Sequence, residues 1–370
     1  MTKPASSRPP ALTDLMRSPA RTVPVVTTLV AINVLVFLAM LLAGAGWWHS
    51  PNEVQLAWGA NFGPATQDGQ WWRMVTAMFV HRGVVHLAVN MWALWDAGRL
   101  VERLLGPWRL LLLYLGSGIV GNLLPLVVQG NQAVSGGASG AVFSLYGALL
   151  AFLWRERRQV EAGEFKWLFG GALAFSGLML GLGQVIPSIN NAAHAGGFAA
   201  GVLIGSLLAR PWTAQSPSTL RLQWAAGLTL VLVVAGLVWK LPAPAYLLGE
   251  ELKARESIAE FLQEDQRISQ RWGSLLQSGP GNGQTFEQLA GRIDAEVTAG
   301  YERSFDELAA ATPGGAAPSA KALEALQAYA AQRAEAARAL SQELRSGDPQ
   351  AIEDALSKAK AKAPKPAKGS

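Results

Sequence analysis

Between Val23 and Trp239 the chain passes repeatedly through stretches of about twenty residues with few or no charges, the length an α-helix needs to cross roughly 30 Å of hydrocarbon. No other feature restricts the fold as strongly. Inside a bilayer every backbone N–H and C=O must be paired within its own segment, so apolar runs of this length imply a bundle of spanning helices. The runs predict seven spans: Val23 to about Trp48, Val84–Leu104, Trp108–Val128, Ser139–Trp154, Trp167–Val185, Asn191–Ala209 and Trp224–Trp239. The first is longer than the apolar region of a signal peptide, about 7 to 15 residues, and is read as an uncleaved span. His49 to Gly83 scatters Trp58, Phe62, Trp71, Trp72 and Phe79 among polar residues, the pattern of a segment lying at the membrane interface.

Basic residues orient these spans. Arg99, Arg103 and Arg109 lie between the second and third, and Arg155, Arg157, Arg158 and Lys166 between the fourth and fifth. The connections after the third and fifth carry neither lysine nor arginine. Because cytoplasmic loops retain Lys and Arg, this alternation places the N-terminus inside and, after seven crossings, the C-terminus outside. The expected setting is a multi-pass protein of a bacterial inner membrane, its C-terminal part periplasmic.

The flanks differ in kind. Residues 1–22, rich in Pro and Ser with Lys3, Arg8, Arg17 and Arg21, are expected to be a disordered cytoplasmic leader. Residues 212–243 hold a linker and the seventh span. From 244 to 346 the composition becomes alanine-rich and charged, with Phe286, Leu289, Ile293, Val297, Tyr301, Phe305 and Leu308 at spacings of three and four. Leu323, Leu326, Ala330, Ala337, Leu340 and Leu344 form a second such stripe. Glycine- and proline-containing breaks at 279–283 and 313–315 divide three helical segments, expected to form an extramembrane bundle, with coiled-coil association as the alternative. Residues 347–370 should be a short helix and a disordered Lys/Ala/Pro tail.

Composition also excludes several chemistries. With no cysteine, disulfides, thiolate catalysis and Cys-ligated metals are ruled out. The net charge of +5 reflects cytoplasmic loops, and no nucleic-acid motif accompanies it. No metal site and no organic cofactor is implied.

Polar residues inside spans are costly and mark functional candidates. Gly136-Gly137-Ala138-Ser139-Gly140 places a serine where an apolar helix begins, beside unpaired N–H groups at the positive end of the helix dipole. Of four histidines, two fall inside predicted spans. His194 lies a few residues into the sixth, and His86 stands four residues before Asn90 on one face of the second. The topology puts Ser139, His194, His86 and Asn90 toward the same outer membrane face. Gly197 and Gly201 on the sixth span, with Gly140 and Gly147 on the fourth, allow close approach. Ser139 is then expected as nucleophile, with His194 as general base and later general acid. Phe143, one turn after Ser139, is expected to stack under the imidazole, while His86, Asn90 and the Ser139 backbone N–H donate to the oxyanion. Ser135 and Ser144 lack this context, and Arg73 and Glu102 are read as framework charges.

At Gly137-Ala138-Ser139-Gly140, His86-Leu87-Ala88-Val89-Asn90 and His194-Ala195-Gly196-Gly197 the chain resembles the rhomboid family of intramembrane serine proteases. Trp72-Arg73, Gly98, Glu102 and Gly106 add supporting matches, and the resemblance covers roughly 23–211. It implies an all-α polytopic fold with a six-span core over 23–211, Ser139 and His194 as catalytic dyad, and His86 and Asn90 in the oxyanion hole. His81 also falls on a family position near the site, where a structural role is as consistent as a catalytic one. The implied function is hydrolysis of peptide bonds near the outer end of transmembrane segments. Its partners are membrane-protein substrates and the lipid bilayer. The seventh span and the C-terminal bundle lie outside the resemblance; a substrate or adaptor contact through the bundle is expected only from the charge-counted topology, which puts it on the outer side. A rhomboid-fold binding factor that does not cut is the alternative, and retention of Ser139 and His194 speaks against it. A transporter would instead show repeated halves and mid-membrane polar residues.

Overall fold

A computed structural model of the chain describes Leu12 and residues 22–129, 133–208, 220–278 and 283–360. Most of the expected leader, residues 130–132 ahead of the serine motif, most of the linker after Leu208, the break at 279–282 and the end of the tail lie outside the described residues. The chain forms two compact units, Met1–Pro244 and Ala245–Ser370.

Among the described residues of the first unit, seven long helices stand at the expected spans: α1 (Pro24–Leu42), α2 (Val84–Leu105), α3 (Pro107–Gln129), α4 (Ser139–Glu156), α5 (Ala162–Val185), α6 (Asn191–Leu208) and α7 (Leu220–Trp239). Five of them, α1, α3, α5, α6 and α7, are apolar and long enough to cross a membrane by composition alone. The other two, α2 and α4, carry Asp96, Arg99, Glu102 and Arg103 or end in Arg155-Glu156. The protein is an all-α polytopic membrane protein. Three boundaries differ from expectation by four residues or more, one of them the start of α7 at Leu220 in place of Trp224. The chain leaves α1 at Leu42 and turns through Gly44, whose φ of 92° favours glycine. α5 begins five residues before Trp167, because its first turn carries Glu164 and Lys166, polar residues that an apolar window leaves out.

Buried polar groups set how these helices meet. Val25 and Val26, in the first turn of α1, donate their N–H groups to the two carboxylate oxygens of Glu102 at 3.0 and 2.9 Å. That satisfies donors which a helix start inside protein would otherwise leave orphaned. Gly98 lies one turn before Glu102, and a Cβ there would come within 2.9 Å of Val26. Between α1 and α2, Arg73 is 6% exposed and donates to the carbonyls of Leu56 and Ala60 at 2.7 and 2.9 Å. It thereby pins the short helix Asn52–Ala57 to the rest of this connection.

α4 is the centre of the unit, and every residue from Gly140 to Leu150 is buried. Its closest neighbour is α6, which approaches through a stripe of glycines four residues apart. A Cβ on Gly197 would run into the carbonyl of Gly140, one on Gly201 into the backbone of Ser144, and one on Gly205 into Ala148. Such small-residue stripes are how helices pack closely where lipid supplies no hydrophobic drive. α7 lies against α3, where Gly116 leaves room for Leu230.

The second unit contains α8 (Leu248–Ser278), α9 (Phe286–Ile293), a π-helical turn (Asp294–Thr298), α10 (Ala299–Ala310), α11 (Ala320–Ser346) and α12 (Pro349–Lys360). Its core joins Phe261, Ile268, Trp272 and Leu275 of α8 to both predicted stripes. Phe286 and Phe305 are exceptions, 42% and 37% exposed, since they sit at the edge of a stripe whose centre is Leu289, Ile293, Val297, Tyr301 and Leu308. A capping box starts α9: Thr285 accepts from the Gln288 N–H, and the Gln288 side chain accepts from the Thr285 N–H. Glu251, 1% exposed, accepts from both the N–H and the hydroxyl of Ser319 at 3.2 and 2.6 Å, which anchors the start of α11.

Candidate active site

The serine segment enters α4 along an extended path tied down on both sides. Ser135 exchanges two backbone hydrogen bonds with Asn61, at 2.7 and 2.9 Å, and the Gly137 N–H donates to the Ala77 carbonyl at 2.8 Å. Gly137 has a φ of 132°, and a Cβ there would stand 2.6 Å from the His86 ring. Conformation and space both demand glycine at this point. Ser139 is then the first residue of α4, where helical geometry leaves the first N–H groups without intrahelical acceptors.

His194 is the fourth residue of α6. Asn190 fixes that helix start: its side-chain oxygen accepts from the Ala193 N–H at 3.1 Å, and its carbonyl accepts from the His194 N–H at 3.2 Å. The Gly197–Gly140 contact and the fit of Gly121 against Ala193 bring α3, α4 and α6 together around this point. As a result His194 Nε2 lies 2.9 Å from Ser139 Oγ. The imidazole lies flat on Phe143, with ring centroids 4.2 Å apart and planes inclined by 10°. It is 6% exposed, and its Nδ1 meets no hydrogen-bond partner among the described residues. Orientation of the ring therefore comes from stacking and helix position, with no carboxylate bonded to it among the described residues.

His86 and Asn90 line the same cavity of about 740 Å³ as Ser139 and His194. They hold one face of α2, as their spacing predicts, and one N–H of the Asn90 amide donates to the His86 carbonyl at 2.8 Å. The His86 ring abuts Gly137, two residues before the serine. His81 lies behind it, wholly buried, 5.1 Å from His86 between ring centroids. Its Nε2 accepts from the Ala138 N–H at 3.4 Å. Burial holds the His81 pKa down to about 4, which keeps this imidazole neutral and able to accept. Ser144 is not part of the site; its hydroxyl donates to the Ala141 carbonyl of its own helix at 2.6 Å.

Chemically, the arrangement offers a hydroxyl whose proton has an adjacent acceptor, in a partly apolar cavity with several N–H donors nearby. Ser139, His86 and His194 all sit within the first turn of their helices, so the cavity lies about 6 Å or less from one end of the bundle. Three residues of interest were not singled out from the sequence. Arg82 and Ser188 line the cavity, and Asp96 accepts from the Tyr146 hydroxyl at 3.2 Å within the spans. For Arg82 a signal existed, since it is a cation in a connection that charge counting assigns to the lysine- and arginine-poor side.

Comparison with known proteins places these features in a family. The family model described as Rhomboid domain matches residues 68–211. Rhomboid protease GluP of Bacillus subtilis (strain 168) is 31% identical over 235 residues, covering 64% of this chain and 43% of its own length. The protein YdcA of the same strain, also named for the rhomboid family, is 34% identical over 192 residues, 50% of this chain and 89% of its own. Rhomboid-type serine protease 2 of Emericella nidulans is 34% identical over 155 residues, 41% of this chain and 29% of its own. The chain thus spans less than half the length of GluP.

Proposed function

We propose, on the premise that this chain belongs to the rhomboid family, that it is an intramembrane serine endopeptidase with Ser139 as nucleophile and His194 as general base. The observation that carries the reading is the 2.9 Å contact between His194 Nε2 and Ser139 Oγ, held by the stacked ring of Phe143. The Ser139 oxygen attacks a substrate carbonyl as its proton passes to His194 Nε2. The developing oxyanion is met by the Ser139 N–H, the Asn90 amide and the His86 ring. His194 then protonates the leaving amine, and water, activated by the same imidazole, hydrolyses the acyl-enzyme.

Substrates are transmembrane segments of other membrane proteins, cut near the outer membrane face. A helix hides its carbonyls in hydrogen bonds, so a cleavable segment carries small or helix-breaking residues that let it unwind into the cavity. The shallow position of the site lets water in. The side of the membrane follows from the alternation of basic loops, and the second unit is assigned to the same side, where it contacts substrate or an adaptor.

The test is labelling with a serine-reactive phosphonate, together with cleavage of a model transmembrane substrate. Wild-type protein should be labelled and active. Ser139→Ala and His194→Ala should insert and purify normally yet lose both activities, and full cleavage by either variant would refute the assignment.

A further inference from the structure

We propose that Arg82 selects substrates bearing a carboxylate side chain within the unwound segment next to the scissile bond. The inference rests on the protease reading above and concerns which peptides it accepts.

Arg82 crosses the mouth of the cavity. At one end its backbone belongs to the serine side of the site. His81, its neighbour, receives the Ala138 N–H, and the Arg82 carbonyl accepts from the Ser50 N–H at 2.6 Å. At the other end its guanidinium donates through Nη2 to the Ser188 carbonyl at 2.5 Å. Ser188 lies in the connection that leads through Asn190 into His194. The side chain therefore reaches from the segment beside the nucleophile to the segment that carries the base. A substrate strand that presents its carbonyl to Ser139 enters the same cavity that Arg82 lines.

Its charge is uncompensated. Among the described residues, the cavity lining contains no aspartate and no glutamate, and Arg82 is its one lysine or arginine. Among the described residues no carboxylate pairs with it, and Ser188 is its one side-chain hydrogen-bond partner. Most of its five N–H donors remain available. The cavity that Arg82 lines also has apolar residues, among them Val85, Val89, Phe175, Met179, Leu182 and Ile186. The guanidinium is solvent-accessible at its bond to Ser188 and has no counter-charge in the lining. A substrate carboxylate would supply that counter-charge through a charge-assisted and geometrically selective hydrogen bond. A neutral amide of the same shape would supply much less.

The experiment uses the full-length protein in a neutral detergent, so that no lipid phosphate competes for the guanidinium. A model transmembrane substrate is made with Asp or Asn, one position at a time, across the residues flanking the cleavage site, and kcat/KM is measured for each pair. At one or two positions Asp should exceed Asn about tenfold, the range of a charged hydrogen bond. Within Arg82→Gln the Asp/Asn ratio should fall to about one, and Arg82→Glu should favour Lys over Asp at the same positions. In wild-type protein the ratio should shrink as salt rises, which tests the idea even if both variants fail to fold. Equal cleavage of Asp and Asn at every position would overturn the proposal while leaving the protease reading intact. So would a ratio unchanged in Arg82→Gln, since a strap that merely holds the Ser188 segment would slow both substrates alike. Absence of Ser139-dependent cleavage of every substrate would overturn the parent reading and this one with it.

Discussion

Gly197→Ala should cripple the site without touching either reactive residue. Its new methyl group would point at the Gly140 carbonyl from well inside the 3.0 Å that real Cβ contacts keep. That neighbour is helical backbone, which cannot rotate away, so α6 must shift from α4 by on the order of 1 Å. Gly197 stands one turn after His194, and Gly140 adjoins Ser139, so the displacement falls directly on the 2.9 Å contact. Adding it would carry the pair beyond about 3.2 Å, the outer edge of catalytic hydrogen-bond reach. Misplacement of this size costs roughly 10²-fold in rate. The assay is kcat/KM on a model transmembrane substrate, read beside thermal stability in the same detergent. Gly177→Ala on α5 is the control, because a Cβ there meets nothing within 4 Å. Replacing glycine by alanine in an open helical position gains up to about 1 kcal/mol in helix propensity. Gly177→Ala should therefore keep activity within a few-fold and hold or raise stability. Wild-type activity in Gly197→Ala, or equal damage in both variants, would refute the view that glycine contact sets the dyad geometry.

His86→Ala and Asn90→Ala should each lower kcat by about 10² to 10³, with the double variant lower still. Parent rates in all three would make these residues structural. A reporter active only outside the cytoplasm, fused after Arg158, should be silent, and one fused after Lys368 should be active. The reverse pattern would overturn the orientation. Truncation after Ser216 should keep cleavage of a short model helix within about tenfold, since no residue assigned to the chemistry is removed. It should slow native substrates in membranes more severely, because a tether raises local substrate concentration without altering the reacting groups. Loss of model-helix cleavage in a folded truncation would show that residues beyond 216 support the site.

The spans were legible in the sequence because their cause is local. Crossing hydrocarbon requires about twenty apolar residues wherever the segment sits, and the helices follow the predicted runs to within a few residues except where polar first turns or an early glycine turn intervene. The residue types of the candidate site were also legible, since a histidine inside an apolar run or a serine among glycines at a helix start is costly enough to stand out. What the sequence could not supply was depth and rotation. Periodicity says which residues share a helix face, but the approach of α6 to α4 is decided by three glycines each meeting a particular backbone group on the facing helix. From that approach come the 2.9 Å contact and the flat stacking on Phe143. Glu102 shows the same limit: its sequence marks a buried charge, and only the fold reveals that it caps α1, 77 residues away. Phe286 and Phe305 matched an apolar stripe yet lie exposed, because the width of a buried stripe depends on the partner helix. Arg82 stood out in the sequence only as a cation on the lysine- and arginine-poor side. Its place across the cavity, with no carboxylate in the lining, exists only once residues about a hundred positions apart are folded together, because electrostatic environment depends on distance in space.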